Sequence, residues 1–184
     1  MEKTTWIIII IIAALALYLG SFYNGLIKKD QAMQAQWAQV ENQFQRRFDL
    51  IPNLVNSVQG AMTQEQKVFS DITEARTKYA GAQTTNQKAE AATQVESALS
   101  RLLVVMENYP QLKSIEAVQQ LMAQLEGTEN RVAVERGRFN DEVRAFNNSV
   151  KQFPGNFIAP IFGFSAKNYF EAVSGAENAP EVKL

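Results

Sequence analysis

The feature that most constrains this chain is an absence of charge: between Lys3 and Lys28 lies a run of 24 residues, 4–27, with no Asp, Glu, Lys or Arg. Its centre is almost wholly aliphatic, Ile7 through Ile12 followed by Ala13, Ala14, Leu15, Ala16, Leu17 and Leu19. As a helix rising about 1.5 Å per residue the run extends roughly 36 Å, enough for a hydrocarbon core of about 30 Å. Trp6 stands near one end, Tyr18, Phe22 and Tyr23 near the other, and Lys28 and Lys29 close the inner flank, as interfacial anchors do. The sequence therefore predicts a single membrane anchor over residues 1–29, with Trp6, Ile7, Ile12, Leu15, Leu19 and Tyr23 facing lipid. The competing reading is a cleaved signal peptide, because Ala14-Leu15-Ala16 has the small-x-small form of a cleavage site. Cleavage there would leave Leu17 to Tyr23 as an apolar, aromatic start to a soluble protein, and an uncleaved anchor accounts for those residues better. Lysine placement favours a cytoplasmic bundle at the inner cell membrane. Ala16 and Gly20, and Ser21 and Gly25, have the four-residue spacing that lets membrane helices approach closely.

Beyond the anchor, the periodicity is helical throughout. From Met33 to Tyr79 apolar residues recur at heptad-like spacing (Trp37, Val40, Phe44, Ile51, Val55, Val58, Met62, Phe69, Ile72), which predicts one amphipathic helix or two in line. Pro52 is expected to kink it near Phe48, or to sit in the first turn of a new helix capped by Asp49, a break near 49–52. GAQTTN, residues 81–86, reads as a connecting loop, so a second break falls at 81–87. A second helix follows from about Lys88 to Asn108 and ends before Pro110, giving a third break at 108–114. A third runs from near Ser114 through Val132, Phe139 and Phe146 to Phe153, with Gly127 and Gly137 each weakening it by about 1 kcal/mol against alanine.

The fold class expected is all-α: an N-terminal transmembrane helix and a long up-and-down antiparallel bundle of three to four helices over residues 30–153. Residues 154–174 mix Gly, Pro and aromatics, and no charge occurs from Gln152 to Ala166. That segment is expected to pack on the bundle or on a neighbouring subunit, with Phe153, Phe157, Ile158, Ile161, Phe162, Phe164, Tyr169 and Phe170 as assembly contacts. Residues 175–184 read as a polar tail.

Chemistry is limited by what is missing. The chain has no cysteine and no histidine, which removes disulfides, thiolate nucleophiles, imidazole bases and the commonest metal ligands. Eighteen basic against nineteen acidic residues leave a net charge of −1, so no global field attracts nucleic acid. No phosphate loop or nucleophile elbow occurs. No cofactor, no metal and no catalytic residue is assigned, and an enzyme is not expected. The polar residues of interest are those on the seams: Arg47, Glu65 and Arg76 on the first helix, Glu129 and Arg136 on the third. They read either as interhelical ion pairs that fix register or as a polar site for a small ligand between helices, and the first reading is preferred by analogy with buried polar residues in coiled coils. A height estimate along the rods pairs Arg76 with Glu129. Asn140, Asn147, Asn148 and Asn156 read either as amides that bind a partner or as ones that cap and bridge chains, and the second reading is preferred.

Specific motifs then resemble one family. The run RRFDLIPNLV (Arg46–Val55), EAR (Glu74–Arg76), YPQLKS (Tyr109–Ser114), ENRVAVERGRFNDEVRAFNNSV (Glu129–Val150), FPGNFIAPIFGF (Phe153–Phe164) and NYFE (Asn168–Glu171) stand in the order found in LemA family proteins. The resemblance implies an all-helical, up-and-down bundle on a membrane anchor, with a short external N-terminus and a cytoplasmic bundle, and it implies no activity. Gly137 departs from the bulkier or charged residue usual there. The function expected is a single-pass scaffold touching membrane lipid, assembling as a homo-oligomer and engaging other membrane proteins. The alternative is an adaptor or sensor that regulates a membrane enzyme, such as a quality-control protease, or binds a small ligand.

Overall fold

Pro52 does not break the first helix. In the computed structural model, which describes residues 2–170, helix α1 runs without interruption over Glu2–Val58 with Pro52 inside it. A proline within a helix forfeits one hydrogen bond and collides with the carbonyl four residues back, at a cost of about 3 kcal/mol. Phe48, Ile51 and Leu54 flank it and are all buried. Burying such side chains returns roughly 1.5–3 kcal/mol each, so packing on both sides of the proline outweighs it. The buried positions of α1 follow a three–four alternation, Trp37, Val40, Phe44, Arg47, Ile51, Leu54 and Val58, the spacing of a coiled-coil seam. Leu54, rather than the expected Val55, carries the stripe there.

The chain turns instead at residues 59–65. The amide of Met62 donates to the Val58 carbonyl at 3.1 Å and that of Glu65 to the Met62 carbonyl at 3.1 Å, closing successive turns. Met62 is fully buried. Helix α2 then spans Gln66–Gly81 and α3 spans Thr85–Met106. Thr84 caps α3 reciprocally: its hydroxyl accepts from the Gln87 amide at 3.2 Å while the Gln87 side-chain oxygen accepts from the Thr84 amide at 3.2 Å. The pair α2 and α3 packs face to face across this short link. Pro110 opens a 3-10 turn, Pro110–Ser114, before α4, Glu116–Lys151. A short helix α5 occupies Gly155–Ile161. No strand occurs among the described residues.

The contacts divide the chain into two units, residues up to 36 with 137–169, and residues 37–136 with Phe170. In the first, Leu26, Phe146, Val150 and Ala159 form a buried cluster with Phe22 and Phe164 against it. In the second, the core is the α1 seam with Ile72, Val95, Leu99, Leu102, Val118, Leu125 and Val132. The expected polar tail, 175–184, and the end of the Gly/Pro/aromatic segment, 171–174, lie outside the described residues.

Candidate functional site

Three groups of residues stand apart from ordinary core. The first is a polar layer in the second unit. Arg47 occupies a seam position of α1, and its side chain is 4% exposed. Its Nη2 donates to Glu129 Oε2 of α4 at 2.7 Å, while its Nε and Nη1 have no partner among the described residues. Glu129 itself is 65% exposed, because Thr128 takes the buried position and turns the carboxylate outward. One heptad on, Arg136 donates to Glu96 Oε2 of α3 at 3.0 Å, and both side chains are mostly buried. The Arg136 guanidinium lies over the Phe170 ring at 4.1 Å from its centroid and 5.3 Å from that of Phe44, so aromatic faces close it in. Burial holds the Glu96 carboxyl above its ordinary value, against the pull of Arg136 and then Arg47, with the Glu129 charge adding to the rise. Trp37 and Phe44 stack near Phe170 as well, at 6.0 and 6.1 Å between centroids.

The expected Arg76–Glu129 pair is not formed: Glu129 takes Arg47 as its partner. The height estimate carried the first rod up to residue 80. Because the chain turns at 59–65, α2 already runs back, and Arg76 lines an open groove of about 490 Å³ with Glu41, Gln45, Phe48, Tyr79 and Lys88. Lys88 pairs with Glu41 at the same groove. Tyr79 packs edge-on against Phe48, and burial, with the Glu41 charge second, pushes its hydroxyl up to about 12. Glu65 is likewise off the seam. It stands at the start of α2 and accepts from the Tyr109 hydroxyl at 3.4 Å. Glu96, which completes the layer, was not legible as a seam charge because it sits one residue beyond Val95; an acid directly flanking a buried stripe of Ala92, Val95 and Leu99 was the available signal.

The second group is the N-terminal stretch. Trp6, Ile7, Ile12, Leu15 and Tyr23 are exposed, Leu19 is intermediate, and the chain buries none of the most apolar window of α1. The third is the segment after α4. The eight residues expected as assembly contacts divide here. Phe170 is buried in the second unit, and Phe164 packs on Phe146 at 6.1 Å and on Tyr23 at 6.0 Å in the first. Phe162 lies 5.0 Å from Tyr23, and Ile158 is intermediate. Tyr169 is partly exposed, and Phe153, Phe157 and Ile161 are the most exposed. Two devices fasten this segment. Asn147, 3% exposed, donates to the Lys167 carbonyl at 2.9 Å and accepts from the Lys167 amide at 2.7 Å. At Gly155 a Cβ would stand 1.8 Å from the Ser149 carbonyl oxygen and 3.1 Å from the Phe22 ring, so only glycine allows that approach. Lys29 donates to the Ser149 hydroxyl and, at 3.5 Å, to the Ala145 carbonyl. Among the described residues no three carboxylates come together as a metal site.

The comparisons with known proteins agree on one relationship. The LemA family profile matches residues 36–184. Magnetosome protein MamQ 1 and Magnetosome protein MamQ 2 of Paramagnetospirillum magneticum are each 26% identical to this chain, over 81% of it and 64% of their own length. Magnetosome protein MamQ of Magnetospirillum gryphiswaldense is 25% identical, over 80% of this chain and 64% of its own. The chain thus spans less than two thirds of the length of these curated relatives.

Proposed function

The chain belongs to the LemA family, and from that premise we propose that it is a structural protein fixed in a membrane by residues 4–27, presenting an up-and-down helical bundle that assembles with copies of itself. The observation that carries the reading is the contrast within α1. None of its most apolar window is buried, whereas its continuation past residue 36 is buried along a strict seam. Two dozen uncharged residues, exposed without a break from 4 to 18, have lipid as their natural solvent, at about 25 cal/mol per Å² removed from water. The polar layer supports a structural role over ligand sensing. Glu96 and Arg136 pair with one another under Phe170, although Arg136 Nε has no partner among the described residues, and Glu129 reaches outward to solvent, so the charges are read as serving packing and register. No reaction is assigned to them. The curated relatives are named for a cellular structure, the magnetosome, which accords with an organising role.

The anchor supplies a self-association face. A Cβ at Gly20 or Gly25 would meet nothing within 4 Å, so a second helix has room to approach there. Val104 and Val134 add exposed apolar side chains on the second unit. The lysine distribution favours the cytoplasmic side of the inner membrane for the bundle. Light scattering on full-length protein extracted in mild detergent tests the assembly: a discrete oligomer is expected, and Gly20→Leu is expected to reduce its mass. A monomer at every concentration would refute it.

A further inference from the structure

Helix α5 leaves a face that the described residues do not cover. Phe157 and Ile161 follow one another at four-residue spacing on one side, Phe153 in the preceding turn packs edge-on against Phe157 at 6.4 Å between centroids, and Phe153, Phe157 and Ile161 are 83, 68 and 79% exposed. The opposite side, Gly155 and Ala159, is buried against Phe22 and Leu26 of α1. A hydrocarbon core takes up about 20 residues of a helix, so with 24 uncharged residues centred on it the boundary falls near residues 22–26. That is the level at which α5 is docked.

We propose that α5 is an interfacial helix: it lies in the headgroup layer beside the exit of the anchor, with Phe153, Phe157 and Ile161 dipped into the acyl chains. The inference rests on reading residues 4–27 as a membrane span. Three observations favour lipid over a second protein surface. The three side chains offer about 450 Å² together, since an aromatic side chain carries roughly 150–250 Å², well short of the about 800 Å² per partner that a stable interface buries. A bilayer, unlike a protein, requires no shape-matched partner for so small a patch. The segment also has interfacial composition, aromatic and without charge from Gln152 to Ala166, with Lys151 and Lys167 at its two ends and exposed Lys28 at the anchor exit. Finally, its docking is fixed from within: the Gly155 approach to Ser149 and the two Asn147 bonds to Lys167 hold α5 and the chain after it against α4, and Gly155 also meets the Phe22 ring of α1, all independently of any partner.

The chain has no cysteine, so a single introduced one is a unique label site. Full-length Phe157→Cys and Ile161→Cys proteins, spin-labelled and reconstituted in vesicles of phosphatidylcholine and phosphatidylglycerol at three to one, report collision with oxygen, enriched in lipid, and with a water-soluble nickel chelate. Ile9→Cys and Gln59→Cys serve as span and aqueous references. The expected result is an oxygen-to-nickel ratio at 157 and 161 several-fold above that at 59 and below that at 9. A ratio at 157 and 161 equal to that at 59, with 9 still in lipid, overturns the interfacial helix while sparing the anchor. Protection of 157 and 161 from both relaxants overturns it in favour of a second copy of the chain. A water-exposed label at 9 overturns the anchor and the inference with it.

Discussion

Replacing Arg47 with methionine is expected to stabilise the protein, whereas deleting its partner carboxylate destabilises it. Arg47 is 4% exposed and makes one charge-assisted hydrogen bond, to Glu129, while two of its nitrogens, Nε and Nη1, find no partner among the described residues. A hydrogen bond to a charged group is worth about 1.5–3 kcal/mol, and each buried unsatisfied donor costs about 1–3 kcal/mol. The guanidinium therefore comes out roughly neutral to about 3 kcal/mol worse than an apolar side chain of similar length, in line with buried ion pairs replaced elsewhere by hydrophobic residues. Glu129, 65% exposed, rehydrates freely when Arg47 is gone, and Glu96 keeps Arg136 at 3.0 Å. Glu129→Ala does the reverse: it leaves a buried cation without its acceptor, at a cost of about 1–2 kcal/mol once the exposure of the pair is discounted. For a chain of this size each kcal/mol moves the melting temperature by about 2–4 °C. Thermal unfolding by circular dichroism in mild detergent then gives a Tm unchanged or raised by up to about 10 °C for Arg47→Met and lowered by roughly 2–8 °C for Glu129→Ala. A larger drop for Arg47→Met than for Glu129→Ala would refute the view that this seam charge trades stability for register.

Gly155→Ala is expected to cost at least about 3 kcal/mol, because a Cβ 1.8 Å from the Ser149 carbonyl oxygen forces the backbone to move; an unchanged melt would contradict the close approach. Gly127→Ala and Gly137→Ala are each expected to add about 1 kcal/mol, since both positions open onto empty space inside α4, and a loss of stability in either would indicate a neighbour. The Glu96 carboxyl, held high by burial, binds its proton more tightly in the folded chain than in the unfolded one. Its contribution is complete below its ordinary value of 4.5 and is lost as pH rises through the folded value, so the Tm of the wild type relative to Glu96→Gln falls with rising pH. A relative Tm that rises over that range would contradict the cause assigned.

The helical character of nearly every described element was legible because the apolar residues keep a three–four rhythm, and the loop at 81–86 because GAQTTN breaks it. The boundaries near the first turn were not. Pro52 carries the strongest local breaking signal, yet Phe48, Ile51 and Leu54 pack on both sides of it, and tertiary burial overrides the local cost. The real turn at 59–65 was hidden because buried Met62 continues the heptad phase through a segment that is not continuous helix. That displacement moved Arg76 and Glu65 off the expected seam, whereas Arg47 and Arg136 kept to theirs, since their positions depend only on the phase within α1 and α4, and Glu129, one residue past the buried Thr128, still reaches Arg47 from the edge of the seam. Glu96 escaped notice because phase alone does not say which residue flanking a stripe turns toward a guanidinium. The aromatic segment announced its apolar burden by composition, but which of its faces is covered depends on Gly155 and Asn147, contacts made across elements that periodicity does not relate.

The central claim is that residues 4–27 remain on the chain and reside in lipid. Mass spectrometry of the protein from alkali-washed native membranes tests it directly. The account predicts that the chain stays in the pellet with residues 4–16 still attached to the bundle. Recovery of a polypeptide beginning after Ala16 in the soluble fraction would contradict it.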